Sequence, residues 1–232
     1  MILSNDGLVA FHYRSYGTFF LQQNRLHNIH RDLPTTNIIE PVLFAFCGII
    51  STMQKKPTSA YVHIPFCTQI CYYCDFSKVF IKNQPVDSYL EHLLEEFQSY
   101  DIQKLRTLYI GGGTPTALSA SQLEVLLKGL TKNLDLSVLE ELTIEANPGD
   151  LDADKIAVLK NSAVNRVSLG VQTFDDKMLK KIGRSHLEKD IYENIDRLKL
   201  TGFDNISIDL IYALPGQTME PVSYTHLTLP TN

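Results

Sequence analysis

The stretch SAYVHIPFCTQICYYCDF, residues 59–76, decides the architecture of this chain. It opens with an apolar, β-branched run over 60–64, the pattern of a strand packed on a core, and breaks at Pro65. Cys67, Cys71 and Cys74 follow on one short loop. A strand running straight into a reactive loop is how α/β folds place their chemistry, because ligands bind at the carboxyl ends of parallel strands. Working outward, similar runs recur at 107–110, 142–146, 165–170 and 205–211, giving five strand candidates. Between them Leu90, Leu93, Leu94 and Phe97, and again Leu123, Leu126, Leu127 and Leu130, repeat at the spacing of one helix face. Ser119 and Gln122 have capping-box spacing, and Gly202 stands where a helical run over 191–200 should end. The expectation is an α/β chain with a parallel sheet and at least four helices, built as an open doubly wound sheet or as most of a (β/α) barrel. In either case the unusual residues converge, since Gly111–Gly112–Gly113–Thr114, Glu145, Gly170 to Gln172 and Asp209 all fall late in strands or just after them.

Composition narrows the function classes. The 232 residues are 44% hydrophobic, ordinary for a domain with a real core. The formal charge of -5 is spread among interspersed acidic and basic residues, which argues against a nucleic-acid surface. The most apolar run, 42–50, is about half the length that spans a bilayer, so no membrane span is expected. No basic segment leads into an apolar run at the start, so a reducing cytoplasmic setting is expected and the four cysteines read as metal or redox chemistry. Residues 1–52 show no sustained period, while Met53 with Gln54, Lys55 and Lys56 resembles a native start. The expected organisation is a non-native or disordered extension over 1–52, a core over 53–220, and a foreign tail over 221–232 in place of the last βα unit.

The spacing C-x3-C-x2-C lets one loop wrap three corners of an iron-sulfur cube and leaves the fourth iron without a protein ligand. Two other readings compete: a structural zinc needing a fourth ligand such as Cys47 or His63, and a dithiol pair of Cys71 and Cys74. The three glycines at 111–113 could form only a sharp turn; no Gly-Lys-Ser/Thr follows, and dinucleotide-fingerprint spacing is absent. His63, a lone histidine on a strand, is more readily structural than catalytic.

The ordered segments YVHIPFCTQICYYCDF, GGGTP, EANP, GVQ, GR and IDLIYALPGQT resemble the motifs of the coproporphyrinogen oxidase and HemW branch of radical S-adenosylmethionine (SAM) proteins. The resemblance runs from about residue 60 to 218. It implies a partial (β/α)6 barrel lacking its last βα unit and a C-terminal domain. It also implies a 4Fe-4S cluster on Cys67, Cys71 and Cys74. S-adenosylmethionine would be held by Tyr61, Tyr73, Gly112, Gly113, Thr114, Glu145, Gln172, Arg184 and Asp209. Within that set Arg184 offers a planar fork for the cofactor carboxylate, Glu145, Gln172 and Asp209 can bond ribose hydroxyls or the amino group, and Tyr73 would lie against the adenine. Oxidases of the branch carry a glycine and a further cysteine after the third cluster cysteine, where this chain has Asp75 and Phe76. That departure favours the haem chaperone over radical decarboxylation of coproporphyrinogen III. The implied partners are haem or a porphyrin, a haem acceptor protein, and a reductant such as flavodoxin or ferredoxin.

Overall fold

The computed structural model describes residues 57–100 and 102–217, together with the backbone of one further strand at Leu8–Phe11. The expected extension over 1–52 (apart from that strand), the tail over 221–232 and Cys47 lie outside the described residues. In chain order the elements are β1 (Leu8–Phe11), β2 (Ser59–Ile64), β3 (Phe66–Cys67), β4 (Val79–Phe80), α1 (Val86–Ser99), β5 (Thr107–Gly112), α2 (Ala120–Thr131), β6 (Glu141–Ala146), α3 (Ala153–Lys160), β7 (Arg166–Gln172), α4 (Asp176–Lys181), α5 (Glu188–Leu200) and β8 (Ile206–Leu210). Short 3-10 turns at Pro115–Ala117 and Pro148–Asp150 follow β5 and β6.

The main sheet is entirely parallel and ordered β1-β2-β5-β6-β7-β8. That order settles the choice left by the sequence. A doubly wound sheet reverses direction at a switch point and carries helices on both faces. Here each crossover from β2 onward steps the same way, so the helices collect on one face and the other is left to line a lumen, which makes the chain a partial (β/α) barrel.

Side chains confirm the division, because alternate residues of a strand point to opposite faces. Val62, Ile64, Leu108, Ile110, Leu142, Ile144, Val167 and Leu169 are buried in the layer under the helices. Helices α1 and α2 complete that layer with Leu90, Leu93 and Phe97, and with Leu123, Leu126, Leu127 and Leu130. The intervening positions carry Tyr61, His63, Tyr109, Gly111, Thr143, Glu145, Arg166, Ser168, Ser207 and Asp209, which is the lumen face. Its lower part is stitched by polar contacts: Arg166 reaches Glu141 at 3.4 Å and Ser207 at 3.1 Å, and Ser207 donates to Ser168 at 3.1 Å.

Local signals explain the helix boundaries. Gln122 N donates to Ser119 Oγ and Ser119 N to Gln122 Oε1, so the capping box forms at the start of α2. Asp152 and Asp175 accept backbone N–H groups at the starts of α3 and α4. Gly202 has φ 94°, the left-handed conformation that lets the chain leave α5. Among the described residues no helix is long and apolar enough to cross a membrane.

Candidate functional site

The cysteine loop is a clamped structure. β3 and β4 pair in parallel, with Phe66 opposite Val79 and Cys67 opposite Phe80, so the chain leaves and rejoins at nearly the same place. Val79 N donates to Pro65 O at 2.7 Å and Ile81 N to Cys67 O at 2.9 Å. His63 braces the far side, with Nε2 on Ser77 O at 2.9 Å and Nδ1 facing Tyr61 Oη at 3.1 Å. A carbonyl only accepts, so the Nε2 tautomer carries the proton and Nδ1 accepts from the tyrosine. Burial holds the imidazole below its usual pKa, in keeping with a neutral strut.

On the opposite side the loop rests on the segment after α4. Tyr72 N donates to Ile182 O at 3.1 Å, Gln69 Nε2 donates to Gly183 O at 2.7 Å, and the Tyr72 ring covers Gly183. Arg184 Nη1 lies 3.5 Å from Cys71 Sγ and 3.3 Å from Tyr73 Oη, while Nη2 donates to Asn147 Oδ1 and Gly170 O. Its Nε is buried without a partner.

The GGGT segment closes the third side. Gly113 N donates to Ile64 O at 2.8 Å, Thr114 N to Phe66 O at 2.7 Å, and Thr114 Oγ1 reaches Cys67 Sγ at 3.7 Å. The glycines are required by close approach. A Cβ on Gly111 would lie 2.7 Å from the Glu145 carboxyl carbon, one on Gly112 would lie 2.6 Å from His63 Nδ1, and one on Gly113 would lie 2.7 Å from Phe66 O. The bare backbone of this turn is thus taken up by Glu145, His63 and the cysteine loop.

The remaining sequence candidates gather along the lumen. Glu145 accepts from Tyr109 Oη at 2.8 Å and from Gly112 N at 3.0 Å, and burial pushes its carboxyl up. Tyr61 stacks on Tyr109 with ring centroids 5.9 Å apart, and burial raises both phenols. Tyr73, at the mouth, is held at about 12 chiefly by burial. Gln172 sits at φ 69° beside a register shift between β7 and β8, a strained conformation for a residue with a side chain. Asp209 is exposed on β8, accepts from Ser168 at 3.3 Å, and lies close enough to raise the pKa values of Glu145 and Tyr109.

Among the described residues the sequence candidates therefore gather around the cysteine loop and the carboxyl ends of the strands, with Arg184 beside Cys71 and Tyr73, Glu145 on Gly112, and Gly113 and Thr114 on the loop backbone. Sequence reasoning missed Tyr109, Asn147, Asp150 and His186. Asn147 lies inside the EANP segment, where only the glutamate was singled out, and Tyr109 was legible as the second aromatic in register with Tyr61. His186 is 1% exposed, with Nε2 on Val171 O at 3.3 Å and its pKa pushed down to about 4 by burial and Arg184.

The donor set bears on what the loop can hold. Cys67 is buried, Cys71 and Cys74 are half-buried, and all three are free thiols. Burial pushes the Cys67 thiol up, and the other two thiols push the same way, so they share one electrostatic neighbourhood. Three thiols on one loop match the three corners that a loop of this kind gives a 4Fe-4S cube. The Arg184 guanidinium, whose Nη1 lies 3.5 Å from Cys71 Sγ, sets a positive charge beside these thiols, and its buried Nε has no partner. The arrangement fits a 4Fe-4S cluster with an adjacent anionic ligand.

Comparison with known proteins agrees with this geometry. The family model of the radical SAM superfamily matches residues 61–228. The haem chaperone HemW of Lactococcus lactis is 65% identical over 170 residues, covering 73% of this chain and 45% of that protein. The Bacillus subtilis haem chaperone HemW is 49% identical over 172 residues, covering 72% and 45%. The structure of the Escherichia coli coproporphyrinogen III oxidase HemN, described as a radical SAM enzyme, superposes with a TM-score of 0.71 at 33% identity, covering 79% of this chain and 44% of that one. The chain thus spans about half the length of the relatives it matches.

Proposed function

The chain belongs to the radical SAM superfamily, and on that premise we propose that it is the cofactor-binding core of a haem chaperone that binds haem and passes it to acceptor proteins. The observation that carries this reading is the 65% identity across the core with a protein named a haem chaperone, against 33% with the oxidase. The local departure points the same way, since Asp75 and Phe76 follow Cys74 where oxidases of the branch carry glycine and a further cysteine.

Members of this superfamily use a 4Fe-4S cluster and S-adenosylmethionine; when bound, the cluster supplies one electron to the cofactor's sulfonium. Cys67, Cys71 and Cys74 would hold the cluster. Arg184, beside Cys71, would offer its guanidinium charge to the cofactor carboxylate. Glu145, Gln172 and Asp209 offer acceptors around the lumen for an amino group and ribose hydroxyls, and Tyr73 offers an exposed ring at the mouth. Gly112, Gly113 and Thr114 fix the cysteine loop against β5, and Tyr61 steadies His63. A reductant of flavodoxin or ferredoxin type would reach the centre at this mouth, in a reducing cytoplasmic setting.

The oxidase is the second reading, favoured by one observation: the chain carries the residues that the resemblance assigns to S-adenosylmethionine, among them Glu145, Gln172, Arg184 and Asp209. One experiment separates the two. Full-length protein is incubated without oxygen with coproporphyrinogen III, reductant and S-adenosylmethionine, and haem binding is titrated in parallel. The proposal expects haem to bind and coproporphyrinogen to persist. Conversion to protoporphyrinogen at an ordinary enzymatic rate, about one per second or faster, would overturn it.

A further inference from the structure

Four side chains outside the thiols form an unbroken polar chain that leaves the cysteine loop at one point and returns to it at another. Thr68 Oγ1, one residue after the first cysteine, donates to Asp150 Oδ1 at 2.7 Å. Asp150 Oδ2 accepts from Asn147 Nδ2 at 3.2 Å, and Asn147 Oδ1 accepts from Arg184 Nη2. Arg184 Nη1 then reaches Cys71 Sγ at 3.5 Å.

The direction of this chain is fixed by chemistry. An ionised carboxylate only accepts and a guanidinium only donates. Asn147 stands between them and is the one member that could face either way. With Asp150 ionised, the amide must turn its NH2 to the carboxylate and its oxygen to Arg184. Asn147 is 7% exposed, so water cannot readily substitute for either contact. The platform is itself anchored. Asn147 N donates to Thr116 Oγ1 at 3.1 Å, Asp150 N donates to Asn147 O at 3.0 Å, and Lys155 Nζ donates to Asp150 O at 2.7 Å.

We propose that Asn147 and Asp150 are positioning residues of the cofactor site, holding the Arg184 guanidinium in register with the Cys71 corner of the cluster, with Asp150 acting through the orientation of the Asn147 amide. The inference rests on the cofactor reading above. Neither residue touches the cofactor in this account. Both act on Arg184, which stands beside Cys71.

Two changes separate this role from general support of the fold. Asn147→Ala removes the one side-chain acceptor of the two groups that hold Nη2, leaving only Gly170 O. Asp150→Ala removes the carboxylate that holds the Asn147 NH2, so that amide can turn over and present its NH2 to Arg184, donor against donor. The full chain, wild type and variants, is reconstituted anaerobically, its iron content measured, and the dissociation constant of S-adenosylmethionine read from the change it makes in the electron paramagnetic resonance spectrum of the reduced cluster. Each variant should bind the cofactor roughly tenfold more weakly, the scale of one hydrogen bond to a charged group, with iron content unchanged. The double variant should be no weaker than Asn147→Ala alone, because Asp150 has no other route to Arg184. Asp150→Ala leaves Asn147 itself in place and gives a second measurement should Asn147→Ala lose its cluster. Binding by Asp150→Ala within twofold of wild type, additive losses, or loss of iron in step with affinity would each overturn the proposal. A wild-type chain that takes up iron but shows no spectral response to S-adenosylmethionine would overturn the cofactor reading, and this inference with it.

Discussion

Replacing Gly112 by alanine should destabilise the domain by about 4 kcal/mol, and the figure follows from three features of one residue. Gly112 has φ 122°, outside the range L side chains adopt, and forcing alanine there costs roughly 1–3 kcal/mol. The new Cβ would stand 2.6 Å from His63 Nδ1 and 2.7 Å from its Cε1, inside any permitted contact. The ring would have to move, weakening its bonds to Tyr61 Oη and Ser77 O, each a net contribution of about 1 kcal/mol. Urea denaturation of the chain without cluster reads the loss directly as a lower midpoint at unchanged slope. A His63→Ala background makes the test sharper. With the ring gone, Gly112→Ala should cost only the backbone part, so the two changes together should cost about 2 kcal/mol less than the sum of each alone. A Gly112→Ala loss under about 1 kcal/mol, or strict additivity with His63→Ala, would refute the claim that this glycine exists to admit the histidine.

Two further outcomes are expected. His186 has its pKa pushed down to about 4, so between the unfolded value near 6.5 and 4 the unfolded chain binds a proton that the folded chain refuses. Stability from this group is therefore complete above about pH 6.5 and falls with acidity by about 1.4 kcal/mol per unit, roughly 3 kcal/mol in total. The difference in pH-dependent unfolding free energy between wild type and His186→Gln should show that slope, and parallel curves would contradict it. Ser119→Ala removes the hydroxyl that caps α2 and should cost about 1 kcal/mol in the same denaturation assay, while Ser119→Thr should be nearly neutral.

The five strands expected from alternation all form, with bounds shifted by at most two residues, because buried parallel strands write their pattern continuously into the chain. The short helices α3 and α4 have too few residues to show a period of their own. The strand Leu8–Phe11 is shorter still, and its pairing with β2 is a long-range event that no local pattern announces. The pairing of Phe66–Cys67 with Val79–Phe80 was hidden for the same reason. Of the site, the thiols and the strand-end residues were legible because their chemistry is rare at those positions. Asn147 and Asp150 were not, since an amide and a carboxylate beside a Pro-Gly turn look like ordinary turn residues until the fold brings Thr68 and Arg184 to them. The use made of each bare glycine was equally invisible, because it depends on which side chain arrives from the neighbouring strand.

The central claim is that the three thiols hold a cube with one iron open to S-adenosylmethionine. The direct measurement is iron, sulfide and zinc content after anaerobic reconstitution, followed by the spectrum of the reduced cluster with and without the cofactor. The account predicts about four irons per chain, a spectrum that shifts when S-adenosylmethionine is added, and loss of both in Cys71→Ser. Stoichiometric zinc without iron uptake, or a cluster whose spectrum ignores the cofactor, would contradict it.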